Sequence, residues 1–229
     1  FVQNKMVEKA LYLQNPEYQG KVSKAVIDLG ITLRMHTEAS LNKPKIINDT
    51  VKVVKKIQSL GLPIREKVTI IKTAGQTKAT YGAAVGPFTI AQLSTLRLKY
   101  TQALWPNKFT ACRLTGLLIV DKGEVEPSIN VIKKVLVNWV RQIEGGLHPR
   151  TEEHWDGYNV LTGNPRGPVN YFRRVINKLG WNDNTPTNIT DHKGETRDLE
   201  EWSDFVYDGI QRARQQAWEK SAKNRRNYK

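Results

Sequence analysis

The period of the hydrophobic positions changes several times along the chain, and each change marks an element. The opening stretch is helix-like and ends at an Asn15-Pro16 turn. Around Val26 to Leu33 the chain reads as extended, with Ile31 and Leu33 alternating with Thr32 and Arg34. That is the two-residue period of a half-buried strand. Residues 37–45 are a polar connection closed by Lys43-Pro44. From Ile46 the period becomes helical: Ile47, Val51, Val54 and Ile57 fall on one side. At about 100° per residue, Lys45, Lys52 and Lys56 fall in a narrow strip opposite. Gly61 and Pro63 stop this helix. A second, from near Ile64, turns Val68, Ile71, Gly75 and Ala79 inward, with Lys67 and Lys78 on one flank and Lys72 at the other edge of the stripe. Gly75 and Gly82 are poor helix formers and point to close helix contact or an interruption.

After Gly86-Pro87, Thr89 stands three residues before Gln92, a capping-box spacing. It opens a helix with Leu93, Leu96, Tyr100 and Leu104 inside, ended by Pro106. The next helix covers roughly 109–119 with Leu114, Leu117 and Leu118. Another starts at Pro127, a favoured first-turn residue, and carries Ile129, Ile132, Leu136, Trp139 and Ile143 up to Gly145-Gly146. Residues 147–166 are rich in Gly, Pro, Asn and acids. Beyond them, Pro168 starts a helix with Phe172, Val175, Ile176 and Leu179, stopped by Gly180. Asn188-Ile189-Thr190 and Glu195-Thr196-Arg197 flank a hairpin turn at Asp191 to Gly194. Ser203 is read as the cap of a last helix with Val206, Ile210, Ala213, Ala217 and Ser221 on one side.

The expected fold is mainly α. Residues 1–44 form a short strand segment and connection, 45–146 a helical bundle and 147–166 a linker. Residues 167–229 form a smaller helical unit containing a β-hairpin. No internal repeat is present.

Composition sharpens this picture. The 229 residues are 39% apolar, enough to build a real core, and carry a net charge of +14. Residues 1–86 hold +8 of that charge. Such a balance favours polyanions, because neutralising phosphates releases condensed counterions. A generically solvated basic surface carries the same charge and stays an alternative. One cysteine, Cys112, leaves no disulfide framework and no multi-cysteine zinc site. The longest apolar run, Leu117 to Val120, is far short of the ~20 residues of a membrane-spanning helix. A soluble protein of the nucleus or cytoplasm is expected, with no membrane partner. The first residue is Phe1, and the chain reads as a piece of a longer polypeptide.

Catalytic chemistry has no visible centre. The acids are scattered, without the carboxylate cluster that holds two metal ions, and no phosphate-cradling Gly-x-x-x-x-Gly-Lys-Ser/Thr loop occurs. The Gly163 to Pro168 run reads as a linker ahead of a helix. His148 and His154 are six apart, His36 stands alone and His192 lies in the hairpin turn, so no metal-ligand spacing emerges. Cys112, beside Ala111 and Leu114, reads as a small buried hydrophobe. Trp139 and Trp181 read as core or clamp. Trp155, in the polar connection with Tyr158, is the best aromatic candidate for an exposed contact with a base.

The order of these elements resembles a known family. Leu29-Gly30-Ile31-Thr32 is followed by the basic helix ending in Leu60-Gly61-Leu62-Pro63. Then come Glu66-Lys67-Val68, Ile71-Lys72-Thr73 and Tyr81-Gly82-Ala83-Ala84-Val85. This succession resembles the region downstream of the catalytic palm in non-LTR (LINE-like) retrotransposon reverse transcriptases. Later pieces are similar to divergent retroelement polyproteins of some protists: Leu93 to Leu104, the Pro127 helix with Trp139-Val140-Arg141, and Gly167-Pro168 to Leu179-Gly180-Trp181. Asp191 to Gly194 and Ala213-Arg214 to Trp218 complete the likeness. Ala84 stands where the family usually has Glu, and the aromatic-Asp-Asp metal site is absent from this chain.

The resemblance implies the end of the palm, a thumb and a connection region of an RNA-directed DNA polymerase. The polymerase activity and its Mg2+ would belong to the parent polypeptide, with no cofactor in this piece. A thumb holds an RNA–DNA or DNA duplex by its backbone, and phosphate contacts position without reading sequence. The cations assigned to that grip are Lys45, Lys52, Lys55, Lys56, Lys67, Lys72 and Lys78. Two other readings remain open: an independent helical RNA-binding protein, and an interaction scaffold whose charge serves solubility.

Overall fold

The alternation near Ile31 becomes a hairpin rather than one extended segment. In the computed structural model, β1 (Ala25–Asp28) pairs antiparallel with β2 (Ile31–Arg34), and β2 with β3 (Ser40–Leu41). Asp28 stands opposite Ile31, so the chain reverses between them. The structure describes residues 25–28, 31–34, 40–41, 43–83, 88–106, 112–147, 155, 167–198 and 202–226. The expected turn at Asn15-Pro16, His36, His148, His154 and Tyr158 lie outside these residues.

The described fold is mainly helical. α1 (Lys43–Ser59) begins slightly before the first apolar position of its stripe and buries Ile47, Thr50, Val54 and Ile57. After the Gly61 to Pro63 turn, α2 (Ile64–Ile70) runs into a π-helical segment (Ile71–Gln76) and then α3 (Thr77–Ala79). The wider turn, closed by i→i+5 bonds, keeps residues four apart on one side. Ile71, Gly75 and Ala79 are all buried in this way. The two glycines divide the two expected roles. A Cβ on Gly75 would stand 3.7 Å from Val54 and 3.9 Å from Tyr100, where helices meet. Gly82, at φ 68°, interrupts the run in the left-handed region.

α4 (Ile90–Leu104) starts at the expected capping box. Gln92 N donates to Thr89 Oγ1 at 3.2 Å, and Thr89 N donates to Gln92 Oε1 at 2.9 Å. α5 (Arg113–Ile119) is shorter than the 109–119 expectation; residues 107–111 are not among those described. Cys112 stands at its start and is only half-buried. A tight turn with Asp121, Lys122 and Gly123 all at positive φ then leads to α6 (Pro127–Glu144). α7 (Gly167–Leu179) ends at Gly180, φ 76°. The hairpin is present as β5 (Asn188–Thr190) against β6 (Thr196–Asp198), with β4 (Asn182–Asp183) added at the edge. Asp191 Oδ1 accepts from Lys193 N and Glu195 N, which fixes its turn. α8 (Trp202–Arg226) starts one residue before Ser203.

Two apolar cores result. One joins α1, α2, the π-helical segment and α4 through Val54, Val68, Ile71, Leu96 and Tyr100. The larger one joins α5, α6, α7 and α8 around Leu136, Trp139, Phe172, Ile176 and Phe205. Elements from both sides of the 147–166 connection share this second core. α6 and α8 approach so closely that a Cβ on Gly209 would overlap Leu136.

Trp155, the best aromatic candidate for an exposed contact, is 3% exposed. Its polar sequence neighbours misled, because the residues that bury it come from elsewhere. The Arg173 guanidinium lies 4.9 Å from its ring centroid and donates to its carbonyl oxygen at 2.7 Å. Trp155 Nε1 in turn donates to the Asp183 carbonyl at 3.3 Å. Trp181 packs back after the Gly180 stop, its ring 5.5 Å from that of Phe205.

Each core carries a pH dependence through one buried tyrosine. The Tyr100 hydroxyl is buried with no hydrogen-bond partner among the described residues. Burial, helped by the charge of Glu126, pushes it well above the ordinary tyrosine value. Burial raises Tyr171 to about 12, against the opposing influence of a Phe88 backbone hydrogen bond and Arg174. Both phenols stay neutral in the fold where unfolded tyrosine ionises, near ~10. Their contribution is therefore complete below pH ~10 and is lost as pH rises above it. Tyr100→Phe should remove part of that alkaline loss. At neutral pH it should leave stability equal or higher by up to ~1 kcal/mol, since it deletes an unpaired buried hydroxyl. Urea unfolding at neutral and alkaline pH checks this; a clear loss at neutral pH would show that the hydroxyl has a partner.

Candidate nucleic-acid interface

Burial of one side of α1 dictates what the other side shows. With Ile47, Thr50, Val54 and Ile57 turned inward, Lys45, Lys52, Lys55 and Lys56 are all exposed. Lys45, Lys52 and Lys56 keep the strip expected from the period, and Lys55 lies on its flank. Lys52 Nζ stands 3.7 Å from Asp49, an exposed pair one turn away that holds it weakly. Lys55 and Lys56 make no ion pair among the described residues. Lys78, in α3, is also exposed.

Two of the seven assigned lysines are engaged within the fold. Lys67 is 6% exposed, and its Nζ donates to the Gln58 carbonyl at 3.4 Å. It spans the turn between α1 and α2 and meets the C-terminal end of α1, where a cation is favoured. Lys72 is occupied as well. Its Nζ donates to Asp121 Oδ2 at 2.7 Å and pairs with Glu124 Oε2. The hydrogen bonds to Asp121 and Glu124 raise its pKa above the ordinary lysine value, against the effect of burial. Lys72 secures the left-handed 121–123 turn, a backbone conformation that non-glycine residues adopt at a cost.

A second set of cations was passed over in the sequence because its members come from helices far apart along the chain. Lys133 and Lys134 are exposed on α6, and Arg214 lies partly buried on α8 with its Nη2 3.7 Å from Glu124. The only local signal was the Lys133-Lys134 doublet beside the apolar stripe of α6.

Among the described residues no three His, Cys, Asp or Glu side chains come together as a metal site. His192 accepts a 3.4 Å hydrogen bond from Trp181 Nε1 through its Nδ1. No described helix is long and apolar enough to cross a membrane. Comparison with protein-family models, curated proteins and solved structures finds no match to this chain.

Proposed function

We propose that this chain grips the phosphate backbone of a nucleic-acid duplex through the outward face of α1, as the thumb and connection of a reverse transcriptase. The carrying observation is the division of α1: four buried positions on one side, and Lys45, Lys52, Lys55 and Lys56 exposed on the other, in a chain of net charge +14. Lys78 adds a fifth exposed cation. Lys67 and Lys72 are left out of the grip because each already serves the fold. Such a face offers point charges to phosphates and no base readout, which suits a holder of duplex better than a sequence-specific reader.

The test is an anisotropy titration with an RNA–DNA duplex. Charge reversal at Lys52, Lys55 and Lys56 to Glu should weaken binding by about a hundredfold or more at low salt. The three sites are exposed, so the melting temperature should barely move. Unchanged affinity would refute the grip. The polymerase ancestry has its own test: a reading frame upstream of Phe1 carrying an aromatic-Asp-Asp metal site supports it, and a frame without one refutes it.

A further inference from the structure

The face of α1 leaves a separate cationic feature unused. The π-helical segment, the start of α6 and the middle of α8 enclose a cleft of about 390 Å³, within the ~300–1,000 Å³ of small-ligand sites. Lys72, Lys133, Lys134 and Arg214 line it against a single carboxylate, Glu124. Lys133 and Lys134 make no ion pair among the described residues. The Arg214 side chain is 18% exposed, and its Nε is buried without a hydrogen-bond partner among those residues. Lys72 and Arg214 both turn toward Glu124.

The cleft is braced before any ligand arrives. Buried Gln76 donates from Nε2 to the Glu124 carbonyl at 2.8 Å and accepts at Oε1 from Asn130 Nδ2 at 2.9 Å. This ties the Glu124 backbone to the π-helical segment and to α6. The Glu124 side chain is different: it is 45% exposed and held by ion pairs to Lys72 and Arg214. Tyr207, 60% exposed, shares one face of α8 with Ile210 and Arg214 at i, i+3 and i+7.

We propose that this cleft binds a short single-stranded stretch of nucleic acid. A phosphate takes the place of the Glu124 carboxylate between Lys72 and Arg214, and a base stacks on Tyr207. Glu124 is an internal stand-in for that phosphate, keeping two cations paired while the cleft is empty of ligand. Its withdrawal leaves Lys72 with Asp121, so the 121–123 turn survives the exchange. An aromatic beside a cluster of cations is the pairing that holds single strands without reading their sequence. The identity of the ligand rests on the nucleic-acid reading above; the cleft's affinity for an anion does not.

Calorimetric titration of the full chain with a single-stranded trinucleotide and, separately, with inorganic phosphate tests the proposal. Glu124→Gln should tighten trinucleotide binding by roughly fivefold, because a competing charge is removed. Arg214→Gln should weaken it by about tenfold. Tyr207→Ala, at an exposed site, should weaken the trinucleotide by about tenfold and leave phosphate unchanged. The tenfold effect of Tyr207→Ala on the trinucleotide should persist when Lys52, Lys55 and Lys56 are reversed; if duplex binding is indifferent to that reversal, the α1 grip falls and the cleft stands. No trinucleotide binding, or binding insensitive to Glu124→Gln and Tyr207→Ala, overturns the proposal. Phosphate bound as tightly as the trinucleotide, with Tyr207 silent, overturns the nucleic-acid assignment.

Discussion

Trp139→Ala should remove about 3–5 kcal/mol of stability, the range of large aromatic truncations in packed cores. Trp139 is 1% exposed at the centre of the larger core. Its ring stacks on Phe172 at 4.3 Å and 11° and tilts against Trp155 at 5.7 Å. Its Nε1 donates to the Pro186 carbonyl at 3.0 Å, tying α6 to the turn before β5. Alanine opens a cavity among α6, α7 and the hairpin and leaves that carbonyl unpaired. Trp139→Phe keeps most of the ring and should cost less, mainly the ~1 kcal/mol hydrogen bond and a smaller void. Chemical denaturation measures both. Since natural domains hold only ~5–15 kcal/mol in reserve, the alanine variant should lose a large share of it and unfold at a clearly lower denaturant concentration. A cost under ~1 kcal/mol would contradict a core that spans both sides of the 147–166 connection.

Glu126→Ala is expected to have a comparable effect for an electrostatic reason. Glu126 is 0% exposed and caps α6: its Oε2 accepts from Ser128 N at 2.7 Å and Ile129 N at 3.0 Å. Its Oε1 pairs with Arg97 Nε, and Arg97 Nη2 reaches Ser128 Oγ at 3.1 Å. Removing the carboxylate strands a mostly buried guanidinium and uncaps the helix together. Breaking a buried pair from one side costs about 3–5 kcal/mol. The pair need not be a net stabiliser for this to hold. Arg97→Met with Glu126→Leu should therefore cost less than the two single changes summed, by ~1–3 kcal/mol in a double-mutant cycle. Additive losses would show that Arg97 and Glu126 act independently.

What was legible in the sequence was local. Thr89 and Gln92 are three residues apart, and both bonds of the capping box follow from that spacing. The inward stripe of Val68, Ile71, Gly75 and Ala79 was readable although its backbone includes a π-helical turn, because burial depends on which side a residue faces. The hidden features all depend on partners distant in sequence. Lys72 finds Asp121 49 residues away. Trp155 is enclosed by Arg173 and Asp183, which no period near Trp155 reveals. Lys67 reaches Gln58 only because the chain reverses at Gly61 to Pro63. The cleft likewise takes residues from the π-helical segment, α6 and α8. Charge counts by segment pointed to residues 1–86 and so overlooked it.

The outward face of α1 is proposed to neutralise backbone phosphates. The most direct measurement is the slope of log binding constant against log salt for an RNA–DNA duplex, in the natural chain and in the variant with Lys52, Lys55 and Lys56 changed to Gln. Each phosphate contact contributes about −0.9 to that slope. A steep negative slope is expected, shallower by roughly two to three when the three charges are removed. An identical slope in the two proteins, or a shallow slope in both, would contradict it.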